Sequence, residues 1–192
     1  MRSPRFLLLA VGLAGCAALL FARGWYAHDL MFRFLVWNLF LALVPAFAAA
    51  AMLHADRRRP RVLPAVWGAL WLLFLPNAPY LITDLIHLKP RPPVPYWFDV
   101  VLFATFVGAG VLAAFSSFHD VQQVVARRFG RTAGWAVVAL AAFASGFGIY
   151  LGRIQRLNSW DVFTQPADLF AALTERLFVP WLHPGAIAVT IL

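Results

Sequence analysis

Trp71-Leu72-Leu73-Phe74-Leu75-Pro76-Asn77-Ala78-Pro79-Tyr80-Leu81-Ile82-Thr83-Asp84-Leu85-Ile86-His87-Leu88 joins an apolar run to two prolines, an amide, a carboxylate and an imidazole. Pro76 lacks an N–H and its ring clashes with the carbonyl of Leu72; Pro79 does the same to Leu75. Each also biases its predecessor, Leu75 or Ala78, away from helical dihedrals. One proline would kink a helix, whereas two so close, with Asn77 between them, predict a local unwinding. Ala65 to Phe74 makes only about 15 Å of helix, roughly half of the ~30 Å hydrocarbon layer. The break therefore falls within a membrane or near its boundary, and Tyr80 to Leu88 reads as a second, short helical piece. In lipid the freed carbonyls need partners, and Asn77 can donate to them. Asp84 and His87, three residues apart, share a face of the second piece. Ionisable groups at such depth are costly and mark functional pathways. The blander alternative is a proline kink with polar residues at the water boundary.

The rest of the chain supports the bilayer. Of 192 residues, 62% are hydrophobic and 12% charged, against about half and a quarter in soluble domains. The excess lies in long blocks, so the fold class is all-α: a polytopic transmembrane helical bundle in one integral membrane domain, 1–192, of about six helices with the third broken. The spans run from about 6–22, 32–53, 62–88, 97–118 and 133–151, with a weak last span at 178–192 that carries Pro180 and Pro184. That last segment is either a half-span or the start of one that continues past Leu192.

Lys and Arg near the helix ends set the orientation. With the N-terminus cytoplasmic, nine basic residues lie inside and seven, spread over longer segments, outside; the Arg57–Arg61 cluster is the strongest local signal. Six of the eight acidic residues then fall outside. The net charge of +8 sits in short tethers between apolar blocks, so no basic face suits nucleic acid. Cys16 is the only cysteine, which excludes a disulfide framework. Leu13-Ala14-Gly15-Cys16 imitates a lipoprotein processing site, but Ala17-Ala18-Leu19-Leu20-Phe21-Ala22 extends the run to spanning length, favouring an uncleaved helix.

Lys89-Pro90-Arg91-Pro92-Pro93-Val94-Pro95 predicts a stiff, extended outer loop. Ala167 to Val179 reads as an interfacial amphipathic helix, with Leu169, Leu173 and Leu177 on one face. Between them, Gly148 and Gly152 have the spacing of close helix packing. Arg153 and Arg156 follow on one face, and their guanidinium forks suit carboxylates or phosphates; the alternative is snorkelling to headgroups, with Trp160 as an interfacial anchor. The third and fifth spans run in the same direction, so both polar clusters emerge at one end, where the second span begins with Trp37-Asn38. A ligand-binding site from Asn38, Asn77, Asp84, Arg153, Arg156, Asn158, Trp160 and Asp161 is thus allowed, with an Asp84–Arg salt bridge within it.

Leu75-Pro76-Asn77-Ala78-Pro79-Tyr80, Thr83-Asp84-Leu85 with His87, Gly152-Arg153 with Arg156, and Asn158-Ser159-Trp160-Asp161 together resemble the signature of an uncharacterised family of bacterial multi-pass membrane proteins, one of the numbered domain-of-unknown-function families. The resemblance covers roughly Trp25 to Pro184 and implies a polytopic protein of the bacterial inner membrane, with no activity to carry over. Family members tend to end in a fuller last helix, from which this chain departs.

Zinc-protease, hydrolase-elbow and phosphate-loop motifs are absent from the sequence. The five histidines are scattered, so neither a metal site nor a cofactor is expected. The expected partners are membrane lipid, an anionic small molecule or lipid headgroup, and a second copy of the chain. The leading reading is a binding protein with an outer-facing polar pocket. One alternative is a membrane enzyme on a lipid-linked or phosphorylated substrate, with Asp84 and His87 as catalytic candidates; another is a small transporter, which the lack of a matching break elsewhere disfavours.

Overall fold

The computed structural model describes residues 4–57, 62–154, 164 and 167, with the backbone alone at 150–154. Helix α1 spans Pro4–Ala27. A short 3-10 turn, Met31–Arg33, leads into α2, Phe34–Arg57. Helices α3, Val62–Phe74, and α4, Asn77–Thr83, are followed by a 3-10 turn at Asp84–His87. Helix α5 runs Tyr96–Phe129 and α6 Arg131–Ile154. Among the described residues, five helical stretches are long and apolar enough to cross a membrane: Pro4–Ala27, Met31–Arg57, Val62–His87, Tyr96–Phe129 and Arg131–Ile149. The protein is a multi-pass integral membrane protein built as an all-α bundle. The amphipathic helix over 167–179 and the last span over 178–192 lie outside the described residues, Ala167 apart.

Small residues decide the packing. Helices α2 and α5 form the centre, and Ala42, Ala48 and Ala49 of α2 with Ala109 and Ala113 of α5 are almost fully buried. Without a hydrophobic drive between helices in lipid, such residues let backbones approach and gain dispersion contact. Around them close Phe32, Leu35, Leu39, Leu81, Leu102, Phe103 and Phe106. A second cluster toward the other end joins Trp71, Leu75, Val121 and Ala141, and the Trp71 indole donates to Ser117 Oγ at 3.1 Å.

The break in the third span is tighter than unwinding. Only Leu75 and Pro76 leave the helix, and Pro76 keeps right-handed dihedrals (φ −61°, ψ −22°). Pro79 sits in the first turn of α4, where the missing N–H has no intrahelical partner to lose. The Ala78 N–H turns to the Leu75 carbonyl at 3.2 Å, leaving the Phe74 carbonyl, which accepts from Asn77 Nδ2 at 2.9 Å. The expected second piece, Tyr80 to Leu88, begins earlier at Asn77 and tightens to 3-10 geometry at Asp84.

Two further expectations are corrected. Helix α5 continues past Phe118 to Phe129, because Gln122, Gln123, Ala126, Arg127 and Arg128 sustain a helix until Gly130 (φ +93°) ends it. The proline-rich loop is not extended: the Val94 N–H donates to the Arg91 carbonyl at 3.1 Å, closing a turn that buries Val94.

Helix α1 touches the bundle along a thin seam. Gly12 and Gly15 face Ala109 and Thr105 of α5, and Cys16 and Arg23 are the buried residues of α1. An ion pair ties each end of the seam to α5. Arg5 donates to Asp120 at 2.7 Å and Arg23 to Asp99 at 2.9 Å. Along α1 these arginines are about 27 Å apart at 1.5 Å per residue, close to the ~30 Å hydrocarbon thickness. That spacing is the one a helix crossing such a layer requires.

Candidate functional site

One end of the bundle gathers the end of α1, the start of α2, the turn after α4, the start of α5 and the end of α6. Asp84 opens the 3-10 turn there and is 1% exposed. Asn38, one turn into α2, donates through Nδ2 to Asp84 Oδ2 at 2.7 Å. The bond joins α2 to the broken span and supplies a charge-assisted partner for a carboxylate withdrawn from water. Thr83 Oγ donates back to the Tyr80 carbonyl at 2.7 Å, tightening the turn that presents Asp84.

His87 has a different setting from Asp84. It is exposed, and its ring meets Phe34 edge-on at 5.2 Å. A 3-10 turn places residues three apart nearly in register, yet one of this pair faces the core and the other the surface. Trp37, beside Asn38, is outward and stacks on Phe40 at 5.5 Å.

The second cluster approaches the break through α6. A Cβ at Gly148 would collide with the ring of Pro76, so only glycine permits this contact. The backbone of Arg153 lies further along the same helix, about 7.5 Å beyond Gly148 along the axis at 1.5 Å per residue, at the end of the bundle that holds Asp84. Asn38 and Asp84 are joined directly, Asn77 serves the break itself about 10 Å away along the helix at 1.5 Å per residue, and α6 passes the break at Gly148. Arg156, Asn158, Trp160 and Asp161 lie outside the described residues.

Sequence reasoning missed the most heavily buried cation among the described residues. Arg23 is 2% exposed; its Nε donates to Asp99 Oδ1 at 2.9 Å and its Nη1 to Asp29 Oδ1 at 2.6 Å. The guanidinium lies 4.3 Å from the centre of the Phe32 ring, a cation–π contact that adds to the pairing in a dry setting. Phe32 in turn packs edge-on against Phe103 at 4.9 Å. Asp99 is fully buried, and its Oδ2 has no hydrogen-bond partner among the described residues. Asp29, in the link between α1 and α2, has its carboxyl held below the ordinary value. The Met31 N–H that it accepts is the main cause; burial opposes the shift, and the guanidinium groups of Arg23 and Arg91 reinforce it. The signal for this hub was a basic residue just past an apolar run, with acids following at Asp29 and Asp99.

The opposite end has its own ion pairs. Asp56 at the end of α2 pairs with Arg128 Nε at 2.5 Å and Arg127 Nη2 at 3.2 Å. No group of three or more His, Cys, Asp or Glu able to hold a metal is found among the described residues.

A family model described as "Protein of unknown function (DUF1361)" matches residues 37–192, and the chain belongs to this family. The matched range includes Asn38, Asn77, Asp84 and Asp99, whereas Arg23 and Asp29 precede it. No curated protein and no solved structure matches the chain.

Proposed function

We propose that this membrane protein is a binding protein whose polar site, at the break of the third span, holds an anionic phosphate-type group on Arg153 and Arg156. The Asn38–Asp84 bond is its fixed inner wall. The observation that carries the reading is the Gly148–Pro76 contact, which brings the end of α6 against the broken span. Both arginines follow that contact in sequence, and their planar forks match two phosphate oxygens at once. Asn158, Trp160 and Asp161 complete the rim. The burial of Asp84 and its bond to Asn38 favour a structural wall over an exchanging acid–base group. In this reading the chain sits in a bacterial inner membrane with the Asp84 end outside. The basic residues at the other end, Arg57, Arg127, Arg128 and Arg131 among them, support that orientation.

The test is retention of lipid by purified protein, read by native mass spectrometry. Phosphatidylglycerol is offered against phosphatidylcholine, and inorganic phosphate is added in a separate arm. The wild type should retain phosphatidylglycerol in preference, and R153A/R156A should lose roughly tenfold or more of that preference, as expected for two charge-assisted contacts. Displacement by inorganic phosphate alone would identify a free phosphorylated solute as the natural ligand. Equal retention of both lipids by the wild type, with no effect of phosphate, would overturn the reading.

A further inference from the structure

A cavity of about 330 Å³ opens between the last turns of α1 and the start of α5, lined by Ala22, Arg23, Tyr26, Val94, Pro95 and Phe98. Its size is at the lower end of ligand-binding cavities, about 300–1,000 Å³. Its wall is largely apolar, and Arg23 and Tyr26 are the two lining residues with polar side-chain groups. It is separate from the Asn38–Asp84 site, so the inference stands apart from the function proposed above. We infer that this cavity binds the ester-linked glycerol region of a membrane lipid, with the ester carbonyl oxygens accepting from Arg23 and the start of an acyl chain lying against Val94, Pro95 and Phe98.

Three observations lead there. The first is donor supply. A guanidinium carries five N–H donors; Asp99 and Asp29 take one each, which leaves donors on a side chain that lines the cavity. The second is charge. Two carboxylates already face Arg23, so an anionic group arriving there would meet a site whose positive charge is spent, in surroundings where like charges repel strongly. A neutral oxygen acceptor adds a hydrogen bond without adding charge. The third is depth. Arg23 lies about 27 Å along α1 from Arg5 at 1.5 Å per residue, close to one hydrocarbon thickness, and Trp25, Tyr26, Tyr96 and Trp97 are exposed near it, as in an interfacial aromatic belt. Ester carbonyls of glycerolipids lie at that level, between the headgroups and the chains.

The experiment compares ester-linked phosphatidylcholine with its ether-linked analogue, which keeps the phosphate and chains but lacks the carbonyls. Each is added to delipidated, detergent-purified full-length protein, and retention is read by native mass spectrometry. The ester lipid should be retained roughly tenfold or more better than the ether lipid, the loss expected when acceptors to a charged donor are removed. A22W, which fills the cavity from the α1 side and leaves Arg23 in place, should abolish that difference. An ester lipid carrying a diazirine beside the carbonyl should crosslink to peptides containing residues 22–26 and 94–98. Equal retention of the two lipids would overturn the proposal, and so would an ester preference that survives in A22W or crosslinks spread evenly over the other helices. The phosphatidylcholine used here differs from the anionic probe of the α6 arginines, so either site can fail without the other.

Discussion

Arg23→Met lowers the free energy of unfolding by about 3–5 kcal/mol, the cost of removing one partner from a buried ion pair. Asp99 is fully buried and would lose its guanidinium donor, and Asp29 would lose its bond across the α1–α2 link. The loss of packing against Phe32 adds to this. The cost is large because Cys16 and Arg23 are the only fully buried residues of α1: the rest of its seam is Gly12, Gly15 and the partly buried Leu13, Leu19 and Leu20, and Arg5–Asp120 ties only the far end. R23M/D99L should recover much of the loss, since an apolar pair leaves no charge stranded in the layer. Cys16 provides the readout. It is the only cysteine and is 2% exposed, so a thiol-reactive fluorophore reports the opening of the α1 seam during denaturant or thermal unfolding. A change below about 1 kcal/mol, the range of exposed ion pairs, would mean that Arg23 is not structurally committed to Asp99.

Asn38→Leu carries the second-largest expected loss, about 1.5–3 kcal/mol, the range for a hydrogen bond to a charged group. It removes the 2.7 Å donor to Asp84 and with it the polar link between α2 and the broken span. Asp84→Asn should cost less, because an amide retains an oxygen that can accept from Asn38 and no longer carries charge into the core. The same Cys16 assay separates the two variants. If N38L and D84N destabilise equally, the Asn38–Asp84 bond does not govern the cost. If N38L is silent, the bond contributes nothing to stability.

The first five spans and the break were legible because both are written locally. Apolar length reports the spans, and Pro76 with Pro79 reports an interruption whatever the neighbours are. Its extent was not legible. Whether two prolines unwind a helix or only turn it depends on where Pro79 falls in the next helix, and it falls in a first turn that needs no N–H from it. Arg23 was hidden for a similar reason. Hydropathy places the end of the first span near Ala22, and a cation just beyond reads as an anchor to headgroups. The helix in fact continues to Ala27 and stops where His28 adopts a left-handed conformation (φ +53°), which histidine tolerates better than most residues. Arg23 is thereby turned toward α5 rather than toward water, an azimuth that a linear pattern does not contain. The end of α5 shows the converse. His119 and Asp120 mark the exit from the layer, but a helix needs no lipid to continue, and Asp120 finds Arg5 there.

Of the proposed site's residues, the sequence made Asn77 and Asp84 visible by their depth. Asn38 was visible only through topology, since nothing in Trp37-Asn38 names Asp84 as its partner. The direction of α6 was equally a matter of topology, and Gly148 was a weak signal of close packing until Pro76 was found opposite it.

The proposed function requires that the end of α6 and the broken span share one polar site open to one side of the membrane. The most direct measurement is labelling of single cysteines by a membrane-impermeant maleimide, applied to intact cells in a C16A background. The positions are H87C, R153C and N158C, with R128C at the other end of the bundle as the control. H87C, R153C and N158C should label from outside, and R128C should label only after the membrane is opened. Labelling of H87C from one side and of R153C or N158C from the other would contradict a shared site.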